Sequence, residues 1–117
     1  MRHSVVTRND MAVKMRDRIG TTGVRVVLRA SNDAVIATLT GGTSSSTGPT
    51  VTIPTASLTD DSSAVGGTLD HMIVEPLATG EIFRYDDVTV LGFSVNQVID
   101  AGDVVDCTGD VTWTAPL

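Results

Sequence analysis

The amino-acid sequence predicts a mainly β protein: an antiparallel β-sandwich or open barrel of about seven to nine short strands, with one short N-terminal α-helix. Valine, isoleucine and threonine, which favour pleated structure, account for 40 of the 117 residues. Short runs of alternating apolar and polar residues are separated by Gly- and Ser-rich turns. Parallel strands need crossover helices, and no segment between these runs has a helical pattern, so we expect antiparallel pairing.

The first element is predicted to be an amphipathic helix that ends at Gly20. Thr7 is placed to cap its first turn, and Asp10 follows where the helix dipole favours a negative charge. One narrow apolar stripe recurs every four residues, at Met11, Met15 and Ile19. A helix this short is marginal alone, so the stripe is expected to pack on its own domain or on a neighbouring subunit.

Strands and turns are predicted from residue 24 onward. We therefore divide the chain into a basic arm with its helix, residues 1–23, and a single β-sandwich domain, residues 24–117. A strand at 24–29 is followed by a hairpin turn at 31–33. The polar stretch 41–49 has almost nothing to bury and is predicted to be an exposed loop.

Two later segments have similarly simple interpretations. Residues 59–67 are predicted to form a second exposed polar loop. The alternation after this loop places His71 on a half-buried strand, and no readable motif nearby supplies a nucleophile for it.

The formal net charge of −6 conceals a strong asymmetry along the chain. Residues 1–29 carry seven cations and two carboxylates, a net charge of +5, whereas residues 30–117 carry one arginine and twelve carboxylates, a net charge of −11. Such a basic head on an acidic body attracts complementary charge on neighbouring molecules or on copies of the same chain. Nucleic acid is a poor candidate partner, because the basic segment lacks aromatic residues for stacking and the acidic remainder repels phosphate.

Composition also argues against catalysis, cofactors and metals. One cysteine, Cys107, cannot form an intrachain disulfide, and two histidines far apart give no zinc spacing. The aspartates of residues 100–110 do not match a calcium loop, and four aromatic residues are too few for a sugar-binding groove. No apolar run reaches the length of a membrane span, and residues 1–20 lack the apolar stretch of a secretory signal. We expect a soluble protein made in a cytoplasm, without enzymatic activity or a cofactor.

Several segments resemble small structural proteins encoded in the virion gene clusters of tailed bacteriophages and prophages. The similarity covers nearly the whole chain and is carried by the helix around Arg8 and Asn9 and by the segments 24–28, 34–39, 59–68, 99–105 and 113–116. The resemblance implies a capsid decoration (cement) protein that binds the outer surface of the major capsid protein lattice and stabilises the head. It further implies synthesis in the host bacterial cytoplasm and partners limited to the major capsid protein and neighbouring copies, with a homotrimer as one arrangement.

The basic N-terminal segment is the predicted contact with the shell or with a neighbouring copy. Its candidate contact residues are Arg2, Arg8, Met11, Lys14, Met15, Arg16, Arg18, Ile19, Arg25 and Arg29. Two other functions remain open: a tail, neck or head-tail connector component, and a receptor- or glycan-binding display module on the virion.

Overall fold

The computed structural model describes residues 2–20, 23–54, 58–59, 63–77, 79–80, 82 and 84–117. Helix α1 spans Val5–Ile19, and a 3-10 helix spans Val88–Leu91. The strands are β1 (Val24–Arg29), β2 (Val35–Gly41), β3 (Ser45–Thr47), β4 (Thr50–Pro54), β5 (Leu58–Thr59), β6 (Gly67–Thr68), β7 (His71–Pro76), β8 (Arg84–Asp87), β9 (Val98–Ile99) and β10 (Asp110–Thr114).

These strands form three antiparallel sheets within the described residues. The largest has the order β5-β2-β1-β7-β8, the second has the order β10-β4-β3, and β6 pairs with β9 as a short ribbon. The mainly β, antiparallel class predicted from the sequence is confirmed, and a sandwich or open barrel is consistent with these sheets.

Strand β1 lies at the centre of the five-stranded sheet, paired with β2 on one side and β7 on the other. Val24, Val26 and Leu28 are fully buried on the inner face, and Arg25, Val27 and Arg29 alternate with them on the opposite face. The turn to β2 is the predicted hairpin: the Ala34 N–H donates to Asn32 Oδ1 at 3.1 Å, and Asp33 has a φ of 66°.

The hydrophobic core lies between the inner face of the five-stranded sheet, the three-stranded sheet and α1. Helix α1 contacts β3, β4 and β7. Ala12 and Ile19 on the helix are both 0% exposed and belong to the same apolar cluster as Val51 and Ile53 of β4. Burial of a side chain such as Ile19 contributes about 1.5–3 kcal/mol to folding. Part of the helical stripe therefore packs on its own domain.

The N-terminal boundary of the helix differs from the prediction. Ser4, and not Thr7, is the N-cap: its Oγ accepts a hydrogen bond from the Thr7 N–H at 3.1 Å, and the helix begins at Val5. Both hydroxyls suit a cap, and the earlier one adds almost a turn of helix. The predicted end is confirmed, because Gly20 adopts a φ of 81° and its N–H donates to Arg16 O. Among the described residues, no helix is long and apolar enough to cross a membrane.

The predicted exposed loop at 41–49 is partly wrong, because residues 45–47 form β3. This strand is polar, and its pairing with β4 gives it the hydrogen bonds that hold it in place. Arg16 adds a contact from the helix, since its Nη1 donates to Ser46 Oγ at 3.1 Å. Of the second predicted loop, 59–67, residues 60–62 lie outside the described residues.

Replacing Ile19 with Ala should lower the free energy of unfolding by about 2–4 kcal/mol, because the substitution leaves a cavity between α1 and the sheets. The matched control is Val13→Ala on the same helix, where the side chain is 38% exposed and the expected change is within about 0.5 kcal/mol. Urea unfolding followed by circular dichroism measures both. A loss below about 1 kcal/mol for Ile19→Ala would show that the helix does not depend on this packing.

Candidate functional site

A groove of about 550 Å³ runs between α1 and the C-terminal end of β10. We call it the helix groove; it is lined by Thr7, Asp10, Met11, Lys14, Met15, Arg18, Trp113 and Pro116. Its apolar part combines two flexible methionines with the single tryptophan of the chain. Methionine adapts to irregular partner surfaces, and tryptophan offers a large rigid contact area.

The register of β10 places Trp113 in this groove. Trp113 pairs with Val51, and Val111 pairs with Ile53, so the indole lies on the face that carries the core. Val111 is buried, whereas Trp113 is only partly covered. One end of the core therefore opens into the groove instead of being sealed.

Arg8 fixes the helix against the segment that follows β10. Its Nε and Nη2 atoms both donate to Ala115 O, at 3.3 and 3.1 Å. The Ala115 N–H donates in turn to Pro49 O at 2.8 Å. The two walls of the groove are therefore held together by hydrogen bonds as well as by apolar contact.

The edge of the groove is polar and carries more positive than negative charge. Lys14 and Arg18 are exposed cations, and Asp10 is the one carboxylate among the lining residues that the structure describes. Apolar side chains surrounded by cations suit a partner segment that combines apolar and acidic residues. Across the described residues, no group of three or more His, Cys, Asp or Glu side chains is placed to hold a metal ion.

The structure divides the ten predicted contact residues into four groups. Four of them line the helix groove: Met11, Lys14, Met15 and Arg18. Arg2 is exposed on the arm before the helix. Ile19 is fully buried, which corrects its assignment as a contact, because a side chain with 0% exposure cannot reach a partner.

The remaining four predicted contacts are arginines with partners inside the chain. Arg8 binds Ala115 O, and Arg16 donates to Asp17 Oδ1 as well as to Ser46. Arg25 and Arg29 lie on β1, on the face of the five-stranded sheet opposite the core, and neither lines the groove. The sequence grouped them with the helix because they are basic and close along the chain, but the strand turns them to another surface.

Arg25 and Arg29 belong to a set of ion pairs that we call the outer-face network. Arg25 Nε lies 3.3 Å from Glu75 Oε2 on β7, and Arg29 Nη1 lies 4.0 Å from Asp33 Oδ1. The two ring nitrogens of His71 each lie 2.9 Å from a carboxylate oxygen, one on Asp33 and one on Asp70.

The outer-face network lies on the same face of the sheet as two apolar side chains that are shielded from solvent. Ile73 is 0% exposed and Val27 is 5% exposed, although both point away from the core. The long arginine stems suit such shielding, because they lie along apolar surface while their charged ends reach carboxylates. His71 is half-buried on a strand, as predicted, and its partners place it in this network.

Sequence reasoning missed the C-terminal wall of the groove, formed by Trp113 and Pro116. The alternation of apolar and polar residues around Trp113 is typical of a strand, but it carries no signal that this strand meets the helix. Comparisons with protein-family models, with curated proteins and with solved structures gave no match to this chain. The interpretation of the groove therefore depends on its own residues and geometry.

Replacing Arg8 with Gln should loosen the groove without unfolding the protein. The two hydrogen bonds to Ala115 O are lost, and we expect the free energy of unfolding to fall by about 1 kcal/mol. Trp113 should become more exposed, so its fluorescence emission should shift to longer wavelength. The matched control is Arg2→Gln, an exposed arginine of the same arm, which should change neither quantity. An unchanged emission maximum in Arg8→Gln would contradict the positioning role assigned to Arg8.

Proposed function

We propose that the protein is a non-enzymatic structural protein of a tailed-phage virion, a capsid decoration protein that binds the outer surface of the major capsid protein lattice. The observation that carries this proposal is the helix groove, a preformed apolar recess with a basic edge on a small β domain. Such a surface binds protein side chains without performing chemistry. The resemblance of the sequence to virion structural proteins supplies the identity of the partner.

The size of the groove suits a repetitive partner. A groove of this size buries less surface area than the interfaces of stable isolated complexes do. On a lattice, many copies of such a contact act together, and the effective affinity rises far above that of one contact. A small domain with one modest groove therefore fits a protein that covers a shell in many copies.

The distribution of charge supports the same proposal. Among the residues that line the groove, two cations face one carboxylate, while residues 30–117 of the chain carry a net charge of −11. An acidic partner segment, on the shell or on a neighbouring copy, is attracted to the groove and repelled by most of the remaining surface. The expected outcome is one preferred orientation on the lattice.

Replacing Met11 with Gln should weaken binding to capsids at least tenfold, because a polar amide replaces an apolar side chain of the groove. The experiment adds purified protein to expanded capsids that lack it and measures the bound fraction by cosedimentation. Val13→Gln is the matched control: it makes the same polar change on the same helix, outside the groove lining, and should bind as the wild type does. Point variants are preferred to deletion of the helix, because Ala12 and Ile19 are core residues.

The wild-type protein should bind in hundreds of copies per particle. Binding in six or twelve copies would contradict capsid decoration and would indicate a ring in the tail, neck or connector. Binding to host-cell carbohydrate, with no binding to capsids, would indicate a display module. Equal binding of the Met11→Gln and Val13→Gln variants to capsids would show that the groove takes no part in this binding.

A further inference from the structure

Another exposed apolar feature, within the residues that the structure describes, is a turn at the β6–β9 end, which we call the valine knob. Three valines flank this turn, Val65, Val98 and Val104, and they are 68%, 65% and 67% exposed. Asp100, Asp103 and Asp106 are also exposed and belong to the same segment. Large apolar side chains exposed beside one turn offer a surface for interaction.

Hydrogen bonds hold the valine knob in one conformation. The Gly102 N–H donates to Ala64 O at 2.8 Å, which joins the turn to the segment that carries Val65. Within the turn, the Asp103 N–H donates to Asp100 O at 3.1 Å, and the Asp100 N–H donates to Asp103 Oδ2 at 3.0 Å. Gly102 has a φ of 84°, a conformation that other residues rarely adopt. A preformed knob loses little conformational entropy when it binds.

The valine knob and the helix groove are complementary in chemistry. The knob presents branched apolar side chains and carboxylates, and the groove presents Met11, Met15 and Trp113 beside Lys14 and Arg18. Attraction between the carboxylates and these cations aligns the two surfaces, while apolar contact supplies most of the affinity. The groove volume of about 550 Å³ is large enough for several small side chains.

We propose that the helix groove binds the valine knob of a second copy of this chain. The knob comes from residues 64–66 and 98–106, and the groove comes from residues 7–18, 113 and 116, so each copy offers both surfaces at once. A contact between two different surfaces is head-to-tail, and repetition of it generates closed rings or open chains. The inference rests on the proposed function, because it names the partner in the groove as the neighbouring copy within the decorating layer.

A charge-swap experiment on the purified protein tests this contact without capsids. Sedimentation equilibrium at protein concentrations up to about 1 mM, within the range expected for a weak contact, measures self-association. Lys14→Glu places a negative charge in the groove, and Asp106→Lys places a positive charge on the knob. Each single variant should self-associate at least tenfold more weakly than the wild type. The double variant, with both charges reversed, should recover to within about threefold of the wild type, because the pair is again complementary.

Two matched controls separate the knob from general surface effects. Asp110→Lys makes the same charge change on an exposed aspartate outside the knob and should leave self-association unchanged. Val104→Ser should weaken self-association. Its control is Val5→Ser, which changes a valine of nearly equal exposure on the first turn of α1 and should leave self-association unchanged. The fluorescence emission of Trp113 should shift to shorter wavelength as the wild-type protein associates, because the knob covers the indole.

The outcomes distinguish this inference from the proposed function. The inference would be overturned if the wild-type protein remained monomeric up to about 1 mM, or if the double variant did not recover self-association. Either result would hold whether or not the protein binds capsids. Recovery in the double variant supports the inference, even where no variant binds capsids and the proposed function fails.

Discussion

The packing of α1 on the two sheets is the contact on which the remaining structure depends. A three-stranded sheet is too narrow to cover a five-stranded one, and the helix covers part of the remaining apolar surface through Ala12 and Ile19. The helix does not cover all of it, because Met11 and Met15 lie to one side, next to Trp113. The core and the groove are therefore two parts of one apolar surface, which differ only in whether the chain itself covers them.

The basic residues of the first 29 positions perform two different tasks in the fold. Arg8 and Arg16 tie the helix to distant segments, and Arg25 and Arg29 pair with carboxylates on the outer face. Much of the net charge of +5 is thus engaged by carboxylates and carbonyl groups within the chain. The attraction that this segment can offer a partner is therefore weaker than the charge count suggests.

The sequence predicted features that depend on local pattern. The strand at 24–29 and its hairpin turn follow from alternation and from turn chemistry at Asn32 and Asp33, and the helix stop follows from Gly20. The local sequence pattern could not distinguish Ser4 from Thr7 as the N-cap of the helix, because both side chains carry a suitable hydroxyl. The strand at 45–47 has no apolar periodicity, and its formation depends on β4 and on Arg16.

The candidate site was predictable only on its helical side. Met11, Lys14, Met15 and Arg18 were identified from the apolar stripe and the local charge, and all four line the groove. Trp113 could not be identified in this way, because its position opposite the helix depends on the register between β10 and β4. The outer-face network was missed for a related reason: it depends on which strands are neighbours, and not on spacing along the chain.

The hydrogen bonds from Arg8 to Ala115 join residues 107 positions apart, and this separation affects how the protein folds. Helix α1 is translated long before β10 and before Ala115, the residue that Arg8 binds. Until β10 has left the ribosome, Met11 and Met15 lack the Trp113 wall of the groove, and the nascent chain exposes this part of its apolar surface. Closure of so long a loop is slow compared with formation of the β1–β2 hairpin. The groove is therefore expected to mature later than the β1–β2 hairpin during synthesis, and chains that have not yet formed it are expected to be prone to aggregate.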